Sequence, residues 1–542
     1  MLVAASVGQS YPEPSALPAW RRSGLVSRAL RVAGDASVAL TLLCLGYFVL
    51  SDPNWIGWDA AAYMHWGLEI TRGKLPFVDI VDINPPLVQF VHVLPAWFSR
   101  LTGLGPAQAF NLWVWAWAVA SSLVVRSLLT RYTPRLTLAR QVAFSFAFAF
   151  SSHIAWHQGH FGQREHFLVM ILVPALLLRW ARHEQRELPR ALAIAVGVCA
   201  ATALAIKPQY LPACLLFEGA LWLRHRDLRR ALGVELLGFV FVGLGYAALF
   251  LAFPVMRREF FGFYLPLFAR GYRAYDCSLR DLLVLAELWV ALALLLLCGV
   301  FLAQAALPAR AREARLPQPA IALPFALFVV GSLLAYLGQH KGWPYQIFPA
   351  FTLAPLALVL AAPIDGFLSL AAAILGLTLS IREYTGAVRG TLPQEGWLLE
   401  LRQLVGSTAR PGDRVQFIGA SALGPYPMLL DLGLRPGSRF PWLQALPMFY
   451  PTDSLSTACE FRVWGAGRPA EQRVLDYLRQ DFRRAPPSLV IAETFEGQTM
   501  RPGCTPRGWL EHSGFLEREM AEYDQIGNMY GFAIWRRRGA VP

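Results

Sequence analysis

Apolar stretches long enough to cross a bilayer recur at residues 35–51, 108–129, 139–154, 166–181, 190–206, 209–223, 231–253, 281–304, 319–337, 345–361 and 363–381. A helix needs about 20 largely apolar residues to cross the ~30 Å hydrocarbon layer, because each backbone amide must find its partner within the segment. The pattern predicts about eleven transmembrane helices. Residues 52–107, between the first two, form a polar, aromatic-rich loop. Its apolar part, Pro86 to Leu104, is interrupted by Pro95 and Gly103, which predicts helices lying along or dipping into the interface instead of a further crossing.

After Ile381 the apolar runs shorten and charge rises. Arg414-Val-Gln-Phe-Ile-Gly419 and Ser488-Leu-Val-Ile-Ala-Glu493 look like buried strands, and they alternate with helix-like 396–405 and 470–479. The fold class expected is a polytopic α-helical membrane protein with interfacial helices and a soluble C-terminal α/β domain. Its divisions are a cytoplasmic segment 1–34, a membrane module 35–389 and an α/β domain 390–542.

Composition agrees: of 542 residues, 55% are hydrophobic and 16% charged, too apolar for one water-soluble core. The net charge of +13 raises the question of nucleic acid, but the basic residues fall in short connections between spans. That distribution is the mark of membrane orientation, so no nucleic-acid partner is expected. Arg21, Arg22, Arg28 and Arg31 precede the first span and no cleavage site follows a short apolar core, which reads as an uncleaved cytoplasmic anchor. Alternating sides from there brings Arg131, Arg135 and Arg140, then Arg179, Arg182, Arg186 and Arg190, then Arg224 to Arg230, then Arg310 to Arg315, to the same side. The odd count places the C-terminal domain outside. Cys44, Cys199, Cys214 and Cys298 serve as small apolar fillers, whereas Cys459 and Cys504 can pair if their domain is extracytoplasmic.

The chemistry-bearing residues gather on the outer side. Asp59, in Gly57-Trp-Asp-Ala-Ala-Ala-Tyr63, is either a helix N-cap or a carboxylate able to take a proton from an acceptor hydroxyl. Asp79 and Asp82, with Lys74 upstream and Asn84-Pro-Pro-Leu87 downstream, are solvated acids or oxygen ligands for a divalent cation. Residues 157–166 hold His157, His160, His166, Arg164 and Glu165. Arg164 can grip a phosphate, while Glu165, His160 and His166 can ligate a metal or only tie helix ends together. Lys207-Pro-Gln-Tyr210 and Lys341-Gly-Trp-Pro-Tyr345 are lysines that snorkel to lipid headgroups, or hinges that hold a lipid-linked phosphate. The 254–280 loop, with Arg257, Arg258, Arg270, Arg273, Asp276 and three tyrosines, is a set of interface anchors or a substrate lid.

In this order the motifs resemble the GT-C superfamily of glycosyltransferases, the polytopic class that includes protein O-mannosyltransferases and bacterial lipid A aminoarabinose transferases. The resemblance covers residues 35–381 and rests on Asp59 and Tyr63, the Gly73 turn, Asn84-Pro-Pro-Leu87, Gly162-Gln-Arg-Glu-His166 and Lys341-Gly-Trp-Pro-Tyr345. It implies an inverting transfer from a polyprenyl-phosphate sugar to a lipid, glycan or protein acceptor at the outer face of a bacterial inner membrane. Asp59 matches the catalytic carboxylate, although many relatives carry Asp-Glu where this chain has Asp59-Ala60. Arg164, Lys207, Lys341 and Tyr345 would hold the donor phosphate. Asp79, Asn84, Tyr63 and His160 would line the substrate loop, and Asp82, Glu165 and His166 would bind a divalent cation (Mg, Mn, Ca or Zn) if one is used. Two other classes compete. A transporter or flippase would place its ionisable residues near the midplane in two related halves, and none are visible; a lipid-linked oligosaccharide polymerase or ligase would rely on a large late loop.

Overall fold

The computed structural model describes residues 24–52, 55–133, 136–154, 161–306, 321–362, 396–422, 424–452, 459–461, 468–496 and 500–539. The chain is mostly helical, with one small C-terminal sheet. The early helices are α1 Gly24–Ser51, α2 Trp58–Thr71, α3 Leu87–Val91, α4 Val93–Thr102, α5 Pro106–Tyr132, α6 Leu138–His153, α7 Arg164–His183, α8 Arg190–Ile206 and α9 Leu211–His225. Later long helices cover Leu237–Ala252, Ala286–Ala306, Ala322–Gln339 and Pro344–Ala361. Ten of the eleven expected spans coincide with these helices; the last, 363–381, lies outside the described residues. Among the described residues seven helices are long and apolar enough to cross a membrane, as in a multi-pass membrane protein.

One pair departs from the expectation of two separate spans. α8 and α9 are bent by 111° at a break that carries Lys207 and Pro208. Pro208 has no amide hydrogen to continue the ladder, and a short 3-10 turn, Pro208–Tyr210, re-aims the chain. α3 and α4 have 5 and 10 residues, too short to cross. Leu94, Trp97, Phe98 and Leu101 on α4 are exposed at helical spacing, the pattern of a helix lying in an interface. In the helices around 234–252 and 286–304 only 17% of the residues are buried, leaving broad apolar surface for lipid.

Not every loop arginine stays in a loop. Arg140 is buried within α6, where its guanidinium donates to the Ala362 carbonyl at 2.9 Å. Arg179 is held by Glu218 (2.6 Å) and by Glu235, which also pairs with Arg182 (2.8 Å). Burial of these guanidiniums demands such partners.

The C-terminal sheet has strand order β2-β1-β3-β5-β4, with β1 Arg414–Ile418, β2 Arg435–Pro436, β3 Leu489–Glu493, β4 Tyr523–Met529 and β5 Phe532–Arg537. β1 and β3 run parallel, Phe417 opposite Ile491, while β3 and β5 run antiparallel, Ile491 opposite Ile534. Helices Gly396–Thr408 and Pro469–Arg484 cover it, longer than but in the positions expected. The β4–β5 hairpin was not foreseen; Tyr530 and Gly531, both with positive φ, make its tight turn. Cys459 and Cys504 are joined in a disulfide.

This domain sits on the 52–107 loop. Glu69 pairs with Arg435 (2.9 Å), His65 Nδ1 meets the Tyr426 hydroxyl (3.1 Å), Trp66 stacks on Trp442 (5.9 Å between ring centres), and the Val81 amide donates to the Arg439 carbonyl (2.8 Å). Burial lowers the His65 pKa to about 4, so this ring is neutral and its bond to Tyr426 is uncharged.

Candidate functional site

Asp59 lies in the first turn of α2, but Gly57 is the N-cap, so the capping role open to Asp59 falls away. Its half-buried carboxylate instead accepts from the Gln163 side chain at 3.4 Å. Burial pushes its pKa above the usual carboxylate range. Arg164 opposes that rise, Glu165 adds to it, and Gln163 and Lys207 pull it down again. The start of α7 and the α8–α9 break therefore meet α2 around Asp59.

α7 delivers three of them. Gly162 has φ +74°, and a Cβ there would sit 2.4 Å from the Phe110 ring, so only glycine allows the turn that opens α7 against α5. Gln163 is the N-cap, and Arg164 and Glu165 follow in the first turn. Arg164 donates to the Asn84 side-chain carbonyl and lies over the Tyr63 ring (5.2 Å). Its Nε is buried and bonds no group among the described residues. Asn84 in turn donates to Asp82 (3.1 and 3.3 Å) and approaches the Tyr63 hydroxyl (3.3 Å).

Glu165, fully buried, pairs with Lys207 at 2.5 Å, and Lys207 also lies 5.6 Å from the Tyr345 ring centre. Lysine at the α8–α9 break therefore points inward and does not snorkel. Tyr345 touches Trp343 (5.7 Å), which approaches Tyr272 and Tyr275 (6.5 and 6.2 Å), forming an aromatic shelf beside the acids and bases. Lys341 stands behind that shelf: it pairs with Asp276, donates to the Tyr272 carbonyl (2.8 Å) and covers the Tyr272 ring (4.1 Å). Its charge is taken up in anchoring the 272–276 segment.

Asp79 and Asp82 do not share a face. Asp79 pairs with Lys74 (3.2 Å) and accepts from the Leu75 amide (3.1 Å), closing its own turn. Asp82 is buried, and burial raises its pKa to about 6, with Arg164 the largest opposing influence. The three metal-ligand candidates do not meet either. Asp82 faces two amides, Glu165 faces Lys207, and the His166 ring nitrogens face the Gly162 amide (3.1 Å) and His153 (3.3 Å). Among the described residues there is no group of three or more His, Cys, Asp or Glu side chains placed to hold a metal ion. His157 and His160 lie outside the described residues.

Two participants escaped the sequence reading, Glu69 and Gln444, whereas Tyr275 is one of the three tyrosines singled out in the 254–280 loop. Gln444 approaches Asp82 (3.5 Å) from the C-terminal domain, and its backbone carbonyl accepts from the Tyr275 hydroxyl (2.7 Å). Nothing local in the sequence marks a contact spanning so many residues. Chemically, the cluster offers a carboxylate able to accept a proton, a guanidinium whose bonded partner is a neutral amide, and a second cation balanced by Glu165. No known family model matches the chain, and no curated protein does either.

Proposed function

We propose that this protein is a GT-C-type glycosyltransferase that moves a sugar, with inversion, from a polyprenyl-phosphate donor to an acceptor hydroxyl or phosphate. The observation that carries the reading is the Asp59–Arg164 arrangement. A half-buried carboxylate with a raised pKa faces an arginine bonded to a neutral amide, beside helices apolar enough for a lipid tail. Asp59 takes the acceptor proton as the acceptor oxygen attacks the anomeric carbon. The carbon–oxygen bond to phosphate breaks on the opposite face, and its electron pair leaves with the phosphate. Arg164, through its free Nε, and Lys207 stabilise the charge that develops there. The aromatic shelf of Tyr272, Trp343 and Tyr345 offers flat surface to the sugar, while Tyr63 holds the Arg164 plane.

Among the described residues no set of side chains fits a resident metal, and the steps above need none. On the expected cytoplasmic start and eleven crossings, the site and the C-terminal domain would lie outside, in the bacterial periplasm. The Cys459–Cys504 disulfide fits an oxidising compartment. Reporter fusions after Arg315 and Arg389 would give cytoplasmic and outer signals respectively, and a shared side would break the topology. Activity is tested in proteoliposomes by following labelled sugar from polyprenyl-phosphate donors into envelope lipids and glycans. Transfer by the protein over empty vesicles supports the reading, and its absence across pentose and hexose donors overturns it.

A further inference from the structure

The C-terminal domain does more than cover the membrane module. Its segment 439–444 runs along the inner edge of the 52–107 loop. The Arg439 carbonyl takes the Val81 amide (2.8 Å), and five residues further along the segment Gln444 reaches the next loop residue, Asp82 (3.5 Å). The interface is closely packed: the cavity lined by Val81, Tyr264, Phe440, Trp442 and Gln444 measures only about 10 Å³, space for roughly one water. Gln444 and Asp82 are both buried.

From Asp82 the contacts lead on to the phosphate-binding candidate. Both Asp82 oxygens lie within hydrogen-bonding distance of the Asn84 amide nitrogen. With its NH2 turned to Asp82, Asn84 presents its carbonyl oxygen to Arg164. An asparagine has one acceptor end and one donor end, so the carboxylate decides which end faces the guanidinium. Were Asn84 flipped, two sets of N–H donors would confront each other and Arg164 would be displaced.

Resting on the proposed glycosyl transfer, we infer that Gln444 is a positioning residue for that reaction, holding Arg164 in place through Asp82 and Asn84. The C-terminal domain then completes the catalytic pocket instead of serving only as a cap. Tyr275 supports the same segment by donating its hydroxyl to the Gln444 carbonyl at 2.7 Å.

The test is a double-mutant cycle in turnover. Gln444→Met keeps size but loses the amide, and is expected to lower kcat about tenfold while donor KM changes less than twofold, as misplacement of a positioned group does. In an Asp82→Asn background the same change should cost less than a further twofold, because the link is already broken. Tyr275→Phe, a mild change that leaves the ring in place, should lower kcat severalfold and should likewise fail to add to Gln444→Met. Equal losses from Gln444→Met in both backgrounds, or wild-type kcat in both Gln444→Met and Tyr275→Phe, would overturn the inference. Wild-type turnover is measured first: its absence counts against glycosyl transfer itself, whereas normal turnover with additive losses counts against Gln444 alone.

Discussion

Glu165 and Lys207 lie 2.5 Å apart in a buried ion pair that ties the start of α7 to the break between α8 and α9. Removing one partner leaves the other charge buried alone, which costs roughly 3–5 kcal/mol. Lys207→Met is therefore expected to lower the thermal midpoint sharply. Lys207→Met combined with Glu165→Leu should recover much of that stability while transfer stays impaired, because in the proposed reaction Lys207 also serves the donor phosphate. Thermal unfolding of the purified variants beside a transfer assay checks both halves, and full activity in the double variant would return Lys207 to a purely structural role.

Docking of the C-terminal domain depends on the Glu69–Arg435 pair. Glu69 is buried and also bonded to Arg72, so Arg435→Met leaves it partly served. The expected cost is about 1–3 kcal/mol, seen as a lower midpoint and faster proteolysis of the C-terminal domain. An unchanged proteolysis rate would show that the stacking of Trp66 on Trp442 is sufficient for docking.

Glu493 ends β3 with its carboxyl buried and accepting from the Ala420 amide (2.9 Å); burial pushes its pKa up to about 7 from an ordinary 4.5. Because the folded-state value lies above the unfolded one, its contribution to stability is full below about pH 4.5 and is lost as pH rises through about 7. Glu493→Gln keeps the acceptor but never ionises. It should match wild type near pH 5 and exceed it above pH 7.5, by roughly 2–3 kcal/mol at most. Thermal midpoints across that range measure the difference, and parallel curves would mean that Glu493 ionises freely in the fold.

Exhaustive chelation is expected to leave sugar transfer unchanged, since in the proposed reaction Arg164 and Lys207 supply the positive charge and no ligand set forms among Asp82, Glu165 and His166. Loss of turnover restored by adding back magnesium, manganese, calcium or zinc would contradict this.

The helices were legible because a run of apolar residues is local information, and so were β1 and β3 as short, mainly apolar strands. Which polar residues meet is not local. On paper Asp79 and Asp82 are equivalent, yet Lys74 and the Leu75 amide hold the first in its own turn, while Asn84 and Gln444 draw the second into the interior. Three lysine or arginine sites looked alike as phosphate grips. Only packing reveals that Asp276 draws Lys341 behind the aromatic shelf, that Lys207 stays beside Tyr345 balanced by Glu165, and that a neutral amide leaves the Arg164 charge available. The β4–β5 hairpin carried a readable sign, the Tyr530-Gly531 turn, but its charged, exposed β4 hides the alternation that marks a half-buried strand.

The central claim is that Asp59 takes the acceptor proton. The direct measurement is single-turnover sugar transfer by Asp59→Asn in proteoliposomes, with the thermal midpoint and donor binding measured on the same preparation. The side chains have nearly the same shape, so fold and donor binding should persist while the rate falls about 10²-fold or more. An Asp59→Asn protein that folds, binds donor and still transfers sugar within a few-fold of the wild-type rate would contradict the account.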